Sequence, residues 1–225
     1  MLLNDDLNIP ATIHAAEMDW VPSPTAGVDR RMLFRIGEEK ARATSIVRYA
    51  PQSRFPRHAH PGGEEFIVLE GTFQDESGDF PAGTYVRNPP GSSHAPGSEG
   101  GCTIFVKLWQ FRADDQERIV MLPGAGLPQP TAAGCRSSLM LFQNGHEEVR
   151  LAAWEPNAEI SADNPEGLEL LVLSGGFTRE GEAFAAQSWL RLPTGQGLRA
   201  HAGSDGVVIW MKHGKLLQDN VVQFA

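Results

Sequence analysis

Apolar residues along this chain come in short runs separated by Gly- and Pro-bearing breaks. RATSIVRYA (42–50), EEFIVLEG (64–71), GTYVRNP (83–89) and CTIFVKLWQF (102–111) are the first four. LELLVLSG (168–175), SWLRLP (188–193) and VVIWMKH (207–213) follow. Each run is too short for a helix of ordinary length, is rich in β-branched and aromatic residues, and stops at a turn former. The pattern predicts strands throughout. Residues 1–20 read as a lead-in strand or short helix, and the Pro- and Gly-rich stretch 112–135 as a linker that opens a second unit.

The runs repeat. From Pro61 onward a constant offset of 104 residues matches Pro61 with Pro165, Gly63 with Gly167, Glu65 with Glu169 and Val68 with Val172. Leu69 matches Leu173, Gly71 matches Gly175 and Phe73 matches Phe177; Arg87, Pro89 and Gly91 fall on Arg191, Pro193 and Gly195. TIFVKLW (103–109) lies over VVIWMKH (207–213) at the same offset. A duplicated all-β unit must close its sheet edges, and a barrel or two-sheet sandwich does so. The expected architecture is a tandem pair of jelly-roll barrels. The expected domains are 1–120 and 121–225, with the boundary near 115–125.

Composition narrows the function classes. Gly contributes 24 residues and Pro 16, too many breakers for a helical bundle. The net charge is −9, and no run of five basic residues occurs, so binding to nucleic acid through a basic face is not expected. No apolar stretch is long enough for a transmembrane helix, and MLLNDDLNIP lacks the pattern of a signal peptide. The expected compartment is the cytoplasm, with no membrane partner. Cys102 and Cys135 form no C-x-x-C pair and read as buried small side chains.

The candidate chemistry sits in the first half. His58 and His60 are two apart, so on a strand they project from one face, about 6.5–7 Å apart along the chain. The Pro61–Gly63 turn can bring Glu64 back beside them, and His94 enters after a second turn. Three imidazoles and a carboxylate converging inside a barrel make a divalent metal site. The set fits H-x-H-x3-E-x6-G (His58, His60, Glu64, Gly71) and G-x5-P-x-G-x2-H (Gly83, Pro89, Gly91, His94). Glu65 is the rival carboxylate. The count to Gly71 selects Glu64, and the Glu65–Glu169 match gives Glu65 a structural task.

The two motifs resemble those of the cupin superfamily, and because both halves share the pattern the chain resembles a bicupin. HAHPGGEEFIVLEG followed by GDFPAGTYVRNPPGSSHAP is most similar to the ChrR-type cupin, named for the C-terminal domain of a zinc-binding anti-sigma factor. The resemblance implies one divalent metal per chain, held by His58, His60, Glu64 and His94. Zinc is favoured; iron, manganese and nickel suit the same ligands. It further implies a regulatory sensor that reports an oxidant or small ligand to a sigma-factor-related partner, and a homodimer. Only residues 1–20 precede the cupin-like part, and no C-x-x-C occurs, so the resemblance reaches the sensor-like domain and not the sigma-binding one. Relatives of this cupin type include an acetylacetone-cleaving iron dioxygenase, which implies the alternative of an Fe(II) enzyme acting on a β-diketone.

In the second half the four ligand positions fall on Ala162, Asn164, Leu168 and Leu198, which predicts a metal-free barrel. The other histidines carry plainer expectations: His14, His146 and His213 at the surface, and His201 outside any site. Arg87 and Arg191 read as architecture, because the ligand-free half keeps one too. Trp109, Trp154, Trp189 and Trp210 read as strand residues in packing roles; Lys107 alternates with Phe105 and reads as a snorkelling surface lysine in preference to one directed into the pocket.

Overall fold

The computed structural model describes residues 1–38, 40–126 and 128–223. Its elements are strands, paired antiparallel throughout, and the helical element among the described residues is one 3-10 turn at Ala15–Glu17. No helix is long and apolar enough to cross a membrane. The lead-in thus holds both a strand, Ala11–His14, and a helical turn.

Two compact units emerge. The first comprises Met1–Asp5, Asp19–Ala125 and Leu217–Ala225; the second comprises Asp6–Met18 and Gly126–Leu216. Where the sequence suggests contiguous domains of 1–120 and 121–225, the structure groups Asp6–Met18 with the second unit. The reason is an edge strand. Ala11–His14 pairs with Ser188–Leu192, while at the matching place in the first unit Ile119–Met121 pairs with Tyr85–Asn88.

In the first unit the main sheet runs Leu2–Leu3, Val28–Gly37, Ala41–Tyr49, Cys102–Leu108, Glu64–Asp75, Tyr85–Asn88, Ile119–Met121. A separate two-stranded ribbon pairs His58–His60 with Ser92–His94. Alternation along Glu64–Asp75 sends Phe66 and Val68 into a core with Phe73, Phe80, Val86, Ile104 and Val106. Gly71 sits in the left-handed region at φ 70°, and a Cβ there would lie 2.2 Å from the Gly101 carbonyl oxygen. The repeat keeps glycine at this bend because a side chain would strike backbone.

The second unit repeats the plan. Its sheet runs Cys135–Gln143, Glu147–Trp154, Leu198–Gly214, Leu168–Arg179, Ser188–Leu192, Ala11–His14. The single strand Leu198–Gly214 takes the place of three shorter strands, Ser92–His94, Gly97–Ser98 and Cys102–Leu108. The 104-residue offset holds through the ribbon, where Ala162 pairs with Leu198 as His58 pairs with His94. It slips by one in the last strand: Ile104 lies opposite Val68, but Ile209 lies opposite Val172. The segment between Leu198 and Val207 is one residue longer than that between His94 and Cys102. TIFVKLW therefore superposes on VIWMKHG rather than VVIWMKH.

That register corrects the reading of Lys107. It lies opposite Glu65, as Lys212 lies opposite Glu169, and is 2% exposed rather than at the surface. Its Nζ donates to Thr44 Oγ1 at 3.4 Å. On the next strand Arg87 and Arg191 lie opposite the same two glutamates, so each unit carries a cross-strand row of Lys, Glu and Arg. Arg87 is fully buried and donates to Asp115 Oδ2 at 2.9 Å, and Arg191 donates to the Asp6 carbonyl at 2.9 Å. Both arginines are architectural. Glu65 accepts from Tyr85 Oη, and Glu169 accepts from Trp189 Nε1 at 2.8 Å, so the matched glutamates share a matched donor position.

Trp154, Trp189 and Trp210 are buried in strands. Trp109 differs: it lies just past Cys102–Leu108, partly exposed, with φ 59°. Both cysteines are buried, and burial pushes the Cys102 thiol up to about 11.

Candidate metal centre

The three histidines meet on the two-stranded ribbon. His58 and His60 share a face because they are two apart, and His94 lies directly across from His58. Their rings stand edge to face, with centroids 4.9 Å apart for His58–His60 and His60–His94 and 5.3 Å for His58–His94. One ligand nitrogen from each lies within 4.8 Å of the others. His60 and His94 are buried, and His58 is exposed.

Glu64 arrives by the turn. The Gly63 N–H closes it onto the His60 carbonyl at 3.1 Å, with Gly63 at φ 77°. Trp109 and Phe111 cover the turn: a Cβ on Gly62 would meet the Trp109 ring at 2.5 Å, and one on Gly63 the Phe111 ring at 2.6 Å. The position of Trp109 outside the strand follows from this cover, since its N–H donates to the Gly63 carbonyl at 3.1 Å. Glu64 then begins its strand with Oε2 3.6 Å from both His60 Nε2 and His94 Nε2. Glu65 points to the opposite face of the strand, toward Tyr85.

Hydrogen bonds around the cluster orient the donors. His58 Nδ1 lies 3.1 Å from the Pro56 carbonyl, and His94 Nδ1 lies 3.3 Å from Asp75 Oδ2. A carbonyl and a carboxylate only accept, so these contacts assign the ring proton to Nδ1 and leave the Nε2 lone pair free. Asn88 Nδ2 donates to Glu64 Oε2 at 3.0 Å. Burial, then the neighbouring His58, lowers His60 to about 4, and burial also lowers His94. At neutral pH both rings are in the neutral form that binds metal. Burial raises Glu64, against the pull of His94 and the Asn88 hydrogen bond.

The donor chemistry fits a divalent ion. His60 Nε2 and His94 Nε2 are 3.0 Å apart, and the Asp75 contact leaves His94 presenting a lone pair into that gap. Without an ion, His60 Nε2–H can donate to that lone pair; with His60 in its other tautomer the two nitrogens can share a cation.

Asp75 and Asn88 are the residues that sequence spacing misses. Asp75 lies past the end of the first motif, and Asn88 is one of the unspecified positions between Gly83 and Pro89 of the second. At their repeat positions the second unit has Arg179 and Leu192. Carboxylate support of a ligating imidazole fixes its tautomer and raises its basicity. Asp75→Asn is expected to weaken divalent metal binding by about 10- to 100-fold, read by competition with a chelating dye.

In the second unit Leu168 and Leu198 are fully buried in a core with Leu192, Ile160 and Met211. Asn164 Nδ2 donates to the carbonyls of Pro193 at 2.8 Å and Gln196 at 3.0 Å, so its amide secures a turn. The four positions supply packing and a turn anchor in place of ligands. His146 and His201 are exposed. His14 and His213 depart from expectation, both being partly buried. His14 bonds Ser188 Oγ at 3.0 Å and Glu182 Oε1 at 3.1 Å. Burial lowers His213, which lies opposite Leu168 in the sheet.

Residues 8–112 match the family model of the ChrR cupin-like domain. No curated protein matches the sequence at a significant level. Among solved structures, the chain is similar to a proposed dioxygenase of Nostoc punctiforme, with TM-score 0.73 and 15% identity over 97% of this chain and 87% of that one. It is also similar to a bacterial pirin of Escherichia coli in complex with nickel(II), with TM-score 0.66 and 16% identity over 92% of this chain and 100% of that one. A third is the oxalate decarboxylase of Lactobacillus farciminis in a formate complex, with TM-score 0.65 and 9% identity over 95% and 88%. At these identities the likeness establishes the fold.

Proposed function

Because the chain is a member of the cupin superfamily whose first half matches the ChrR cupin-like domain, we propose that it is a metal-dependent sensor module. One divalent metal per chain, zinc by preference, is held in the first unit by His58, His60, His94 and Glu64. The convergence of three imidazole nitrogens, with Glu64 Oε2 3.6 Å from two of them, is the observation that carries this reading. When bound, the metal supplies a Lewis-acidic centre for an oxygen ligand. The residues set its surroundings. Pro56 and Asp75 fix the ring protons of His58 and His94, and Asn88 turns Glu64 inward. The sensor passes its state to a protein partner related to sigma factors. The test is a pull-down with the metal-loaded and metal-stripped protein: a partner retained in one state only supports the reading. A complex indifferent to metal contradicts it.

A second reading, an Fe(II) dioxygenase acting on a β-diketone, draws on the open cavity that borders His60 and His94. Oxygen uptake by the Fe(II)-loaded protein with acetylacetone separates the two, since a sensor consumes none.

A further inference from the structure

The cavity beside the histidines measures about 340 Å³, and its wall also includes Asn88, Ser92, Ser93 and Arg118. Two carboxylates border it, and both are engaged. Asp75 accepts from His94 Nδ1 at 3.3 Å and, through Oδ1, from the Ser77 N–H at 2.6 Å. Glu76 accepts from the Ala95 N–H at 2.9 Å and from Arg57. Arg57 is therefore committed to Glu76, and it also donates to Ser93 Oγ at 3.1 Å.

Arg118 differs. Its hydrogen bond goes to a neutral hydroxyl, Ser77 Oγ, at 3.3 Å, and it pairs with no carboxylate among the described residues. Ser92 Oγ is buried without a hydrogen-bond partner. The cavity thus combines a metal edge, an uncommitted guanidinium and an orphaned hydroxyl. A buried polar group without a partner is costly, and a ligand that accepts from it removes the cost. Guanidinium binds carboxylate in a two-pronged, charge-assisted fashion.

We propose that this cavity takes a short aliphatic dicarboxylate. One carboxylate pairs with Arg118 and accepts from Ser92 Oγ, and the other turns toward the metal held at His60 and His94. The assignment rests on the metal-centre reading above and names the ligand class that the sensor reads.

The experiment uses malonate as probe and its neutral diamide as control, titrated calorimetrically into the zinc-loaded full-length protein. Zinc content is measured before and after, so that stripping of the metal by malonate is seen. Wild-type protein is expected to bind malonate and not the diamide. Arg118→Gln is expected to keep its zinc and lose about tenfold or more in malonate affinity, the worth of one charge-assisted pair. Ser92→Ala is expected to lose less. Equal affinity in Arg118→Gln and wild type, or equal binding of the diamide, overturns the assignment. Zinc retained with no malonate binding overturns the ligand class and leaves the metal centre standing; failure to hold zinc overturns both.

Discussion

His94→Ala is expected to abolish stoichiometric metal binding and to lower the unfolding midpoint of the protein in metal-containing buffer by on the order of 10 °C. The shift arises by linkage of metal binding to folding. A metal that binds the folded state alone adds about 4 kcal/mol of stability when its free concentration is about a thousand times the dissociation constant. Removing His94 deletes a nitrogen that lies 3.0 Å from that of His60 and 3.6 Å from Glu64 Oε2. It also strips Asp75 of its ring N–H partner. In chelator the variant and wild-type midpoints draw closer, because the linked stability is then absent from both. A gap between the wild-type and His94→Ala midpoints that is as large in chelator as in metal-containing buffer would point to a packing role instead.

Leu168→Glu is expected to destabilise the second unit by about 4 kcal/mol, measured by urea unfolding. It places at position 168 the carboxylate that the first unit has at Glu64, but without the surroundings that make one tolerable. Leu168 is fully buried against Leu192 and Leu198. Where Asn88 donates to Glu64, the second unit has Leu192, and where His94 stands it has Leu198. The reverse exchange, Glu64→Leu, removes a carboxyl that burial disfavours but leaves the buried Asn88 Nδ2 without its acceptor, so the metal-free protein is expected to change little in stability. It weakens metal binding instead. Loss of less than about 1 kcal/mol in Leu168→Glu would contradict a dry, packed interior at that position.

These expectations show where the site was legible. His58, His60 and Glu64 are brought together by one local turn, which short-range spacing reports well, while His94 joins them across a strand pairing and was legible because its residue type and motif spacing mark it as a ligand. Glu64 was separable from Glu65 by the count to Gly71 and by the Glu65–Glu169 match, and in the structure Glu65 accepts from Tyr85 as Glu169 accepts from Trp189. Asp75 and Asn88 were not legible. They reach the site across strand pairings set by register, and neither residue type signals a ligand's support.

The same limit applies to the fold. The duplication was legible because turn glycines such as Gly71 and Gly175 stand where a Cβ would strike a carbonyl. The grouping of Ala11–His14 with the second unit was not, since a strand of four residues carries no label for its partner. Lys107 was misjudged because alternation tells which face a residue takes and not what covers that face. Its burial depends on a row of charges from three strands.

The most direct test of the metal centre is the metal content of purified, reconstituted protein, compared between wild type, His94→Ala and His213→Ala. The account predicts about one divalent ion per chain in wild type and in His213→Ala, and almost none in His94→Ala. Wild-type protein that holds no ion after reconstitution, or His94→Ala protein that holds as much as wild type, would contradict it.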